Sequence, residues 1–98
     1  MSLATLSISE YARRLASADP TPGGGSASAL VGALGASLVS MVAQLTGASP
    51  KFATIAERMR IVAGEGQRLC ASFIAAIDED VAAFDRVSAA YKLPKASD

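Results

Sequence analysis

Histidine and tryptophan are absent from this 98-residue sequence, and cysteine occurs once, at Cys70. Without histidine or a cysteine pair the common zinc constellations have no ligands, and one thiol forms no internal disulfide. Aromatic residues make up only 5% of the chain, against a hydrophobic content of 51% in which alanine has the largest share. That composition favours close-packed helices over an aromatic-rich core and supplies enough apolar surface for one domain over residues 1–98. An excess of either charge is missing too, since nine basic residues balance nine acidic ones. No Lys/Arg cluster is present, so the electrostatic term that drives nucleic-acid binding is lacking. The expectation is an all-α, metal-independent, cytoplasmic domain with no nucleic-acid partner.

Between Asp19 and Lys51 there is no charged residue. The run is long enough for a membrane span, for which about 20 apolar residues suffice. Ala, Gly and Ser dominate it, however, and polar Gln44 and Thr46 lie inside it, so a buried helix is expected and a membrane helix is not. The first residues, Met1 to Leu6, have no basic segment followed by an apolar stretch, so no signal peptide is expected.

What is present reads as one short helix, one helix rich in small residues and one long helix. Ser7-Ile8-Ser9-Glu10 fits a capping box, and apolar Ile8, Tyr11, Ala12 and Leu15 follow at helical spacing, placing a helix over about 8 to 17. Pro20 and Pro22 forbid its continuation. Ser26 stands where an N-cap is wanted, and Gly47 where a helix stops, so a second helix is expected over about 26 to 47. Ala29, Gly32, Ala36 and Ser40 make a stripe of small residues along it, widened by Gly35, which lets another helix approach closely. With no charge on any side, this helix is expected to be buried nearly all round.

From Pro50 onward, Phe52, Ile55, Met59, Val62, Gly66, Leu69, Phe73 and Ala76 recur at alternating spacings of three and four. The register continues through Asp80, Ala83, Val87 and Ala90, with Ile77, Val81, Phe84 and Tyr91 on the adjoining edge. One helix over about 50 to 92 is expected, roughly 60 Å long at 1.5 Å per residue, with Gly64 and Gly66 as its weak point. That exceeds the diameter of a compact domain of this length, so partners are expected, in a homodimer or larger helical assembly.

Three segments offer chemistry. Gly23-Gly24-Gly25-Ser26 leads into a helix N-terminus, where free N–H groups and the helix dipole favour electron-rich ligand atoms; the alternative is a tight turn between crowded helices. No lysine follows at the Walker position and no strand precedes the turn, so neither nucleotide fingerprint is met. Asp80 lies on an otherwise apolar stripe, where a carboxylate is costly unless paired. It suits a general acid or base, a partner to a cationic or amide-rich ligand edge, or a structural pairing with an arginine or a neighbouring helix cap. Asp78 and Asp85 are expected on solvated surface. Tyr91-Lys92-Leu93-Pro94-Lys95 ends the long helix; its lysines complement the dipole or offer counter-charge to an anionic ligand. Cys70 and the methionines are expected to fill the core.

Taken together, Asp19 to Leu30 with Gly32 to Leu38, and then Ile77-Asp78-Glu79-Asp80, Ala83-Phe84 and Ala90 to Lys95, resemble two ordered blocks of the formiminotransferase-cyclodeaminase C-terminal domain family. That family includes formiminotetrahydrofolate cyclodeaminase and methenyltetrahydrofolate cyclohydrolase. The resemblance implies a helical, usually dimeric domain that takes a tetrahydrofolate derivative as substrate, with no tightly bound cofactor and no metal. Members either expel ammonia from the 5-formimino group to close the 5,10-methenyl ring or hydrolyse that ring to the 10-formyl form. It implies Pro22, Gly23, Gly24, Gly25 and Ser26 as the folate-contacting turn, Asp80 and Asp78 as catalytic candidates, and Phe84 and Lys92 as substrate-binding ones. Family members are longer, with further helices after the Leu-Pro-Lys segment. The chain is therefore expected to be the N-terminal half of such a domain, completed by another subunit or by further residues; the alternative is a non-catalytic oligomerisation module or inactive fragment.

Overall fold

The computed structural model describes residues 2–92, excluding the side chains of Val81, Phe84 and Lys92. A short 3-10 turn, Leu3–Thr5, precedes helix α1 (Ile8–Leu15), which is followed by α2 (Gly24–Ala48), a 3-10 segment (Pro50–Ile55) and α3 (Ala56–Lys92). No strand occurs among the described residues, so the all-α expectation holds.

Ser7 caps α1 as its sequence position predicts. Its hydroxyl accepts from the Glu10 N–H at 3.1 Å and donates to the Glu10 carboxylate, which therefore meets the cap side chain and not the cap amide. The helix ends two residues earlier than expected, because Ser17 turns back to donate from its hydroxyl to the Arg14 carbonyl at 2.7 Å. Only Tyr11 of its apolar positions is buried; Ile8 is 88% exposed.

Helix α2 starts earlier than expected, with Gly23 at the N-cap and Ser26 inside the first turn. Its buried line is Ser26, Ala29, Ala33, Ala36, Ser40 and Ala43, lying along α3. Close approaches pair Gly32 with Phe73, Ser40 with Ala63 and Gly47 with Met59, which defines an antiparallel register. Small residues permit that proximity. A Cβ on Gly66 would lie 2.9 Å from the Ala36 carbonyl oxygen and 3.1 Å from the Ser40 nitrogen, so the two backbones touch where Gly66 crosses α2. The Ser40 hydroxyl, buried in the seam, donates to the Ala63 carbonyl at 3.1 Å and accepts from the Gln44 side chain at 3.0 Å. Gly35 has open space beside it and does not widen the seam.

Two expectations fail. The first is burial of α2 on all sides: Val31, Leu34, Leu38, Val39, Met41, Val42 and Leu45 are all exposed, by 48% to 68%. Small residues bring α2 onto α3 along one line, and this chain supplies no other helix among the described residues to cover the rest. The second is the unbroken helix from Pro50. Phe52 has a non-helical backbone (φ −114°, ψ 29°), so the α-helix begins only at Ala56. It then runs through Gly64 and Gly66 as one element. The molecule measures 70 × 30 × 18 Å with a radius of gyration of 19.0 Å, well above the ~13 Å of a compact chain of this length. The segment after Lys92, including Pro94 and Lys95, lies outside the described residues.

Candidate functional site

Helix α2 starts at the end of a turn built by its own side chains. The Asp19 carboxylate accepts from the Thr21 N–H at 3.1 Å, a local bond that aspartate readily makes two residues on. The Thr21–Pro22 peptide is cis and Pro22 is buried. Gly23 is extended, and none of the glycines has positive φ. Their conformational freedom is therefore not what the turn requires. Space is: a Cβ on Gly25 would collide with the Asp80 carboxylate, at 2.5 Å from Cγ and 2.6 Å from Oδ2, whereas Gly24 faces open space.

The fold thus brings together the two sequence segments singled out for chemistry, which lie at opposite ends of the chain. Because α3 runs antiparallel to α2, its residue 80 comes level with the first turn of α2. Between them is a cleft of about 430 Å³ lined by Pro20, Thr21, Gly23, Gly24, Gly25, Asp80, Ala83 and Val87. Among the described residues Asp80 is the one ionisable group in its lining, half-buried, with no arginine or lysine beside it. Pro20, Thr21, Ala83 and Val87 were not singled out as site residues. Ala83 and Val87 share the Asp80 register at i+3 and i+7, so the periodicity already carried the signal.

Other candidates go elsewhere. Ser26 is fully buried, and its hydroxyl shares a 2.8 Å hydrogen bond with the Tyr11 hydroxyl, so it faces the core and not the cleft. Asp78 is half-buried and hydrogen-bonded within the chain, not a fully solvated carboxylate. Residues two apart on a helix diverge by roughly 200° around its axis, and Asp78 turns to the N-terminal segment. There it accepts from the Ser2 hydroxyl at 2.6 Å and from the Leu3 N–H at 2.7 Å. Those bonds, the Ser2 hydroxyl first and the backbone N–H groups after it, hold its carboxyl below the usual carboxylate range against a partial loss of hydration. The side chains of Phe84 and Lys92 lie outside the described residues. Cys70 is half-buried, with its sulfur 3.1 Å from the Ser37 hydroxyl.

A larger cleft of about 700 Å³ opens at the other end of the helix pair, between Ala43, Gln44 and Gly47 of α2 and Glu57, Arg60 and Gln67 of α3. Its charges pair with each other, since Arg60 binds Glu57 one turn away on the exposed surface. The smaller cleft holds the Asp80 carboxylate and the glycine turn, and chemistry favours it over size.

The family described as formiminotransferase-cyclodeaminase matches residues 7–98. The chain is 43% identical over 91 residues to a methenyltetrahydrofolate cyclohydrolase of Methylorubrum extorquens, covering 93% of this chain and 44% of that protein. It is 36% identical over 94 residues to a formimidoyltransferase-cyclodeaminase of Rattus norvegicus, covering 96% of this chain and 17% of that protein. A second relative of that description, from Dictyostelium discoideum, is 43% identical over 58 residues. The chain therefore spans less than half the length of these relatives. No solved structure matches it.

Proposed function

The chain belongs to the formiminotransferase-cyclodeaminase family, and on that premise we propose that the cleft between the glycine turn and Asp80 binds a tetrahydrofolate derivative and forms or hydrolyses its 5,10-methenyl ring. One observation carries this reading: α2 and α3 place Gly23, Gly24 and Gly25 opposite the Asp80 carboxylate, the one charged side chain among the described residues lining the cleft. The methenyl group is an amidinium cation spread over two nitrogens and the carbon between them. A lone carboxylate among apolar and backbone surfaces is complementary to such a cation.

In the hydrolytic direction, water adds to the bridging carbon and surrenders a proton. The bond from that carbon to N5 then breaks as the hydroxyl proton of the adduct passes to N5, leaving N5–H and the formyl group on N10. In the deaminating direction, N10 attacks the formimino carbon and its proton passes to the imino nitrogen, which takes up one further proton and leaves as ammonia, producing the same cation. Each direction exchanges one net proton beside the cationic carbon, released in hydrolysis and taken up in deamination, which is the role assigned to Asp80. Gly23, Gly24 and Gly25 shape the wall against which the ligand lies, while Pro22 is buried within the turn and outside the lining. Phe84 and Lys92 remain candidates from the family resemblance. Ser26 and Asp78 support the wall from behind.

The test is binding of folinate, a stable 5-formyl analogue, together with the absorbance change on adding 5,10-methenyltetrahydrofolate. Saturating folinate should raise the melting temperature of the 98-residue protein, since a ligand that binds only the folded state stabilises it. Asp80→Asn keeps the shape and removes the charge, so it should weaken binding of the methenyl cation more than that of neutral-headed folinate. An unchanged melting temperature would remove the binding claim.

We further propose that the exposed face of α2 mediates self-association. By length and composition α2 would also suffice to cross a membrane. Against that use, α3 lies alongside it carrying Glu57, Arg58, Arg60, Glu65 and Arg68, whose charges would enter the hydrocarbon with it.

A further inference from the structure

The N-terminal segment is linked to the cleft at two points. Asp78 of α3 accepts from Ser2 and from the Leu3 N–H, at 2.6 and 2.7 Å, and so docks the first 3-10 turn on α3. Leu3 and Tyr11 then enter one buried cluster with Ala29 of α2 and Ile77 of α3, each of the four less than a tenth exposed. From there the Tyr11 hydroxyl reaches Ser26, which is completely buried and adjoins Gly25. Gly25 in turn faces Asp80, two residues beyond Asp78. The contacts close a ring, from Asp78 through residues 2–11 and Ser26 to Gly25 and back to Asp80. Neither the Asp78 nor the Tyr11 side chain lines the cleft.

Resting on the folate reading of this cleft, we propose that Tyr11 and Asp78 are positioning residues: residues 2–11 form a clasp that fixes the first turn of α2 at the correct distance from Asp80. The chemical need is plain. Substrate positioning is lost through displacements of about 1 Å, and the start of α2 has no side-chain cap of its own to hold it. Its first turn is secured by the Ala27 N–H to the Gly23 carbonyl at 3.0 Å and by Ser26 underneath. The Ser26 hydroxyl, which the family resemblance suggests as a substrate contact, is the handle by which Tyr11 holds the turn.

The experiment compares Tyr11→Phe, Ser26→Ala, the double variant and Asp78→Ala with the unaltered 98-residue protein, using Glu57→Gln as a remote control. Two quantities are read: amide exchange at Ala27 to Leu30 without ligand, and the folinate Kd. Each of the first two variants is expected to speed exchange at those amides and to weaken folinate binding by about five- to tenfold, the scale of one net hydrogen bond. The double variant should be no worse than either single one, because both remove the same bond. Asp78→Ala should act in the same direction through the clasp, and Glu57→Gln should change neither quantity.

Acceleration spread evenly over α2 and α3 would mean a general loss of stability and would overturn positioning. So would unaltered exchange at Ala27 to Leu30 in both Tyr11→Phe and Asp78→Ala. If the unaltered protein fails to bind folinate, the folate reading and any role of the clasp in binding fall together, while exchange still decides whether the clasp fixes the turn.

Discussion

At the scale of single residues, the glycine turn and the two aspartates separate into different jobs. Gly24 has nothing within contact range of a would-be Cβ, and its φ is not positive, so a larger side chain there meets neither clash nor backbone strain. Gly24→Val should fold with a stability within about 1 kcal/mol of the parent and project its methyl groups into the cleft. Folinate binding should fall by tenfold or more, the scale of a blocked contact worth about 1.4 kcal/mol. Calorimetric titration checks this, and undiminished affinity would place the ligand elsewhere. Asp78 calls for a different measurement. Its folded carboxyl titrates below the ordinary range because Ser2 and the Leu3 N–H stabilise the charged form. A depressed folded-state pKa gives stability that is present above the unfolded value near 3.9 and is lost as pH falls through the folded value. Asp78→Asn should therefore be less stable than the parent by about 1 kcal/mol near neutral pH, since the site is partly solvated, and the gap should close below about pH 4. Urea titrations across that range decide it. Glu57, also lowered by its exposed pairing with Arg60, is common to both proteins and cancels in the difference.

At the scale of elements, much was legible in the sequence, and the failures have identifiable physical causes. The capping serine, the proline stop and the line of small residues gave the helices, while Ala83 and Val87 lay already in register with Asp80. Helix ends slipped where the Ser17 hydroxyl took the Arg14 carbonyl and where the backbone left helical φ/ψ at Phe52. Ser26 resembled a cap because it followed three glycines. No local pattern reveals that a tyrosine fifteen residues earlier takes its hydroxyl. Helical angles alone separate Asp78 from Asp80, but only tertiary packing shows that the N-terminal segment claims Asp78. The two glycines of α3 show the same divide. Gly64 and Gly66 look alike in sequence, yet only Gly66 lies against the backbone of α2. Gly64→Ala should stabilise the protein by about 0.5–1 kcal/mol through helix propensity. Gly66→Ala gains the same propensity but must force α2 and α3 apart, a net loss of about 1–2 kcal/mol. Thermal melts of the two variants should move in opposite directions, and parallel shifts would contradict the close crossing.

At the scale of the whole molecule, the helix pair leaves one apolar face of α2 uncovered among the described residues. Seven large apolar side chains on α2 remain about half exposed, an apolar face of the kind that marks an interaction site. Val31, Leu34, Leu38, Met41 and Leu45 among them recur at spacings of three and four, the seam by which two helices interlock. With no charge anywhere on α2, the face has nothing to oppose a second copy of itself and nothing to pair with a charged partner. An isologous contact through this face would cover the same apolar residues on both copies. The 9.9 kDa chain should therefore elute as a dimer or larger by light scattering, without detergent. Replacing Leu34 and Leu38 by glutamate sets like charges across that seam and should yield a monomer with a lower melting temperature, because the folded state loses the stabilisation supplied by its partner. A monomeric parent with the face still exposed would assign that surface to helices of a longer chain. Dimers that persist in the double glutamate variant would move the contact to α3, whose final turns extend past the start of α2.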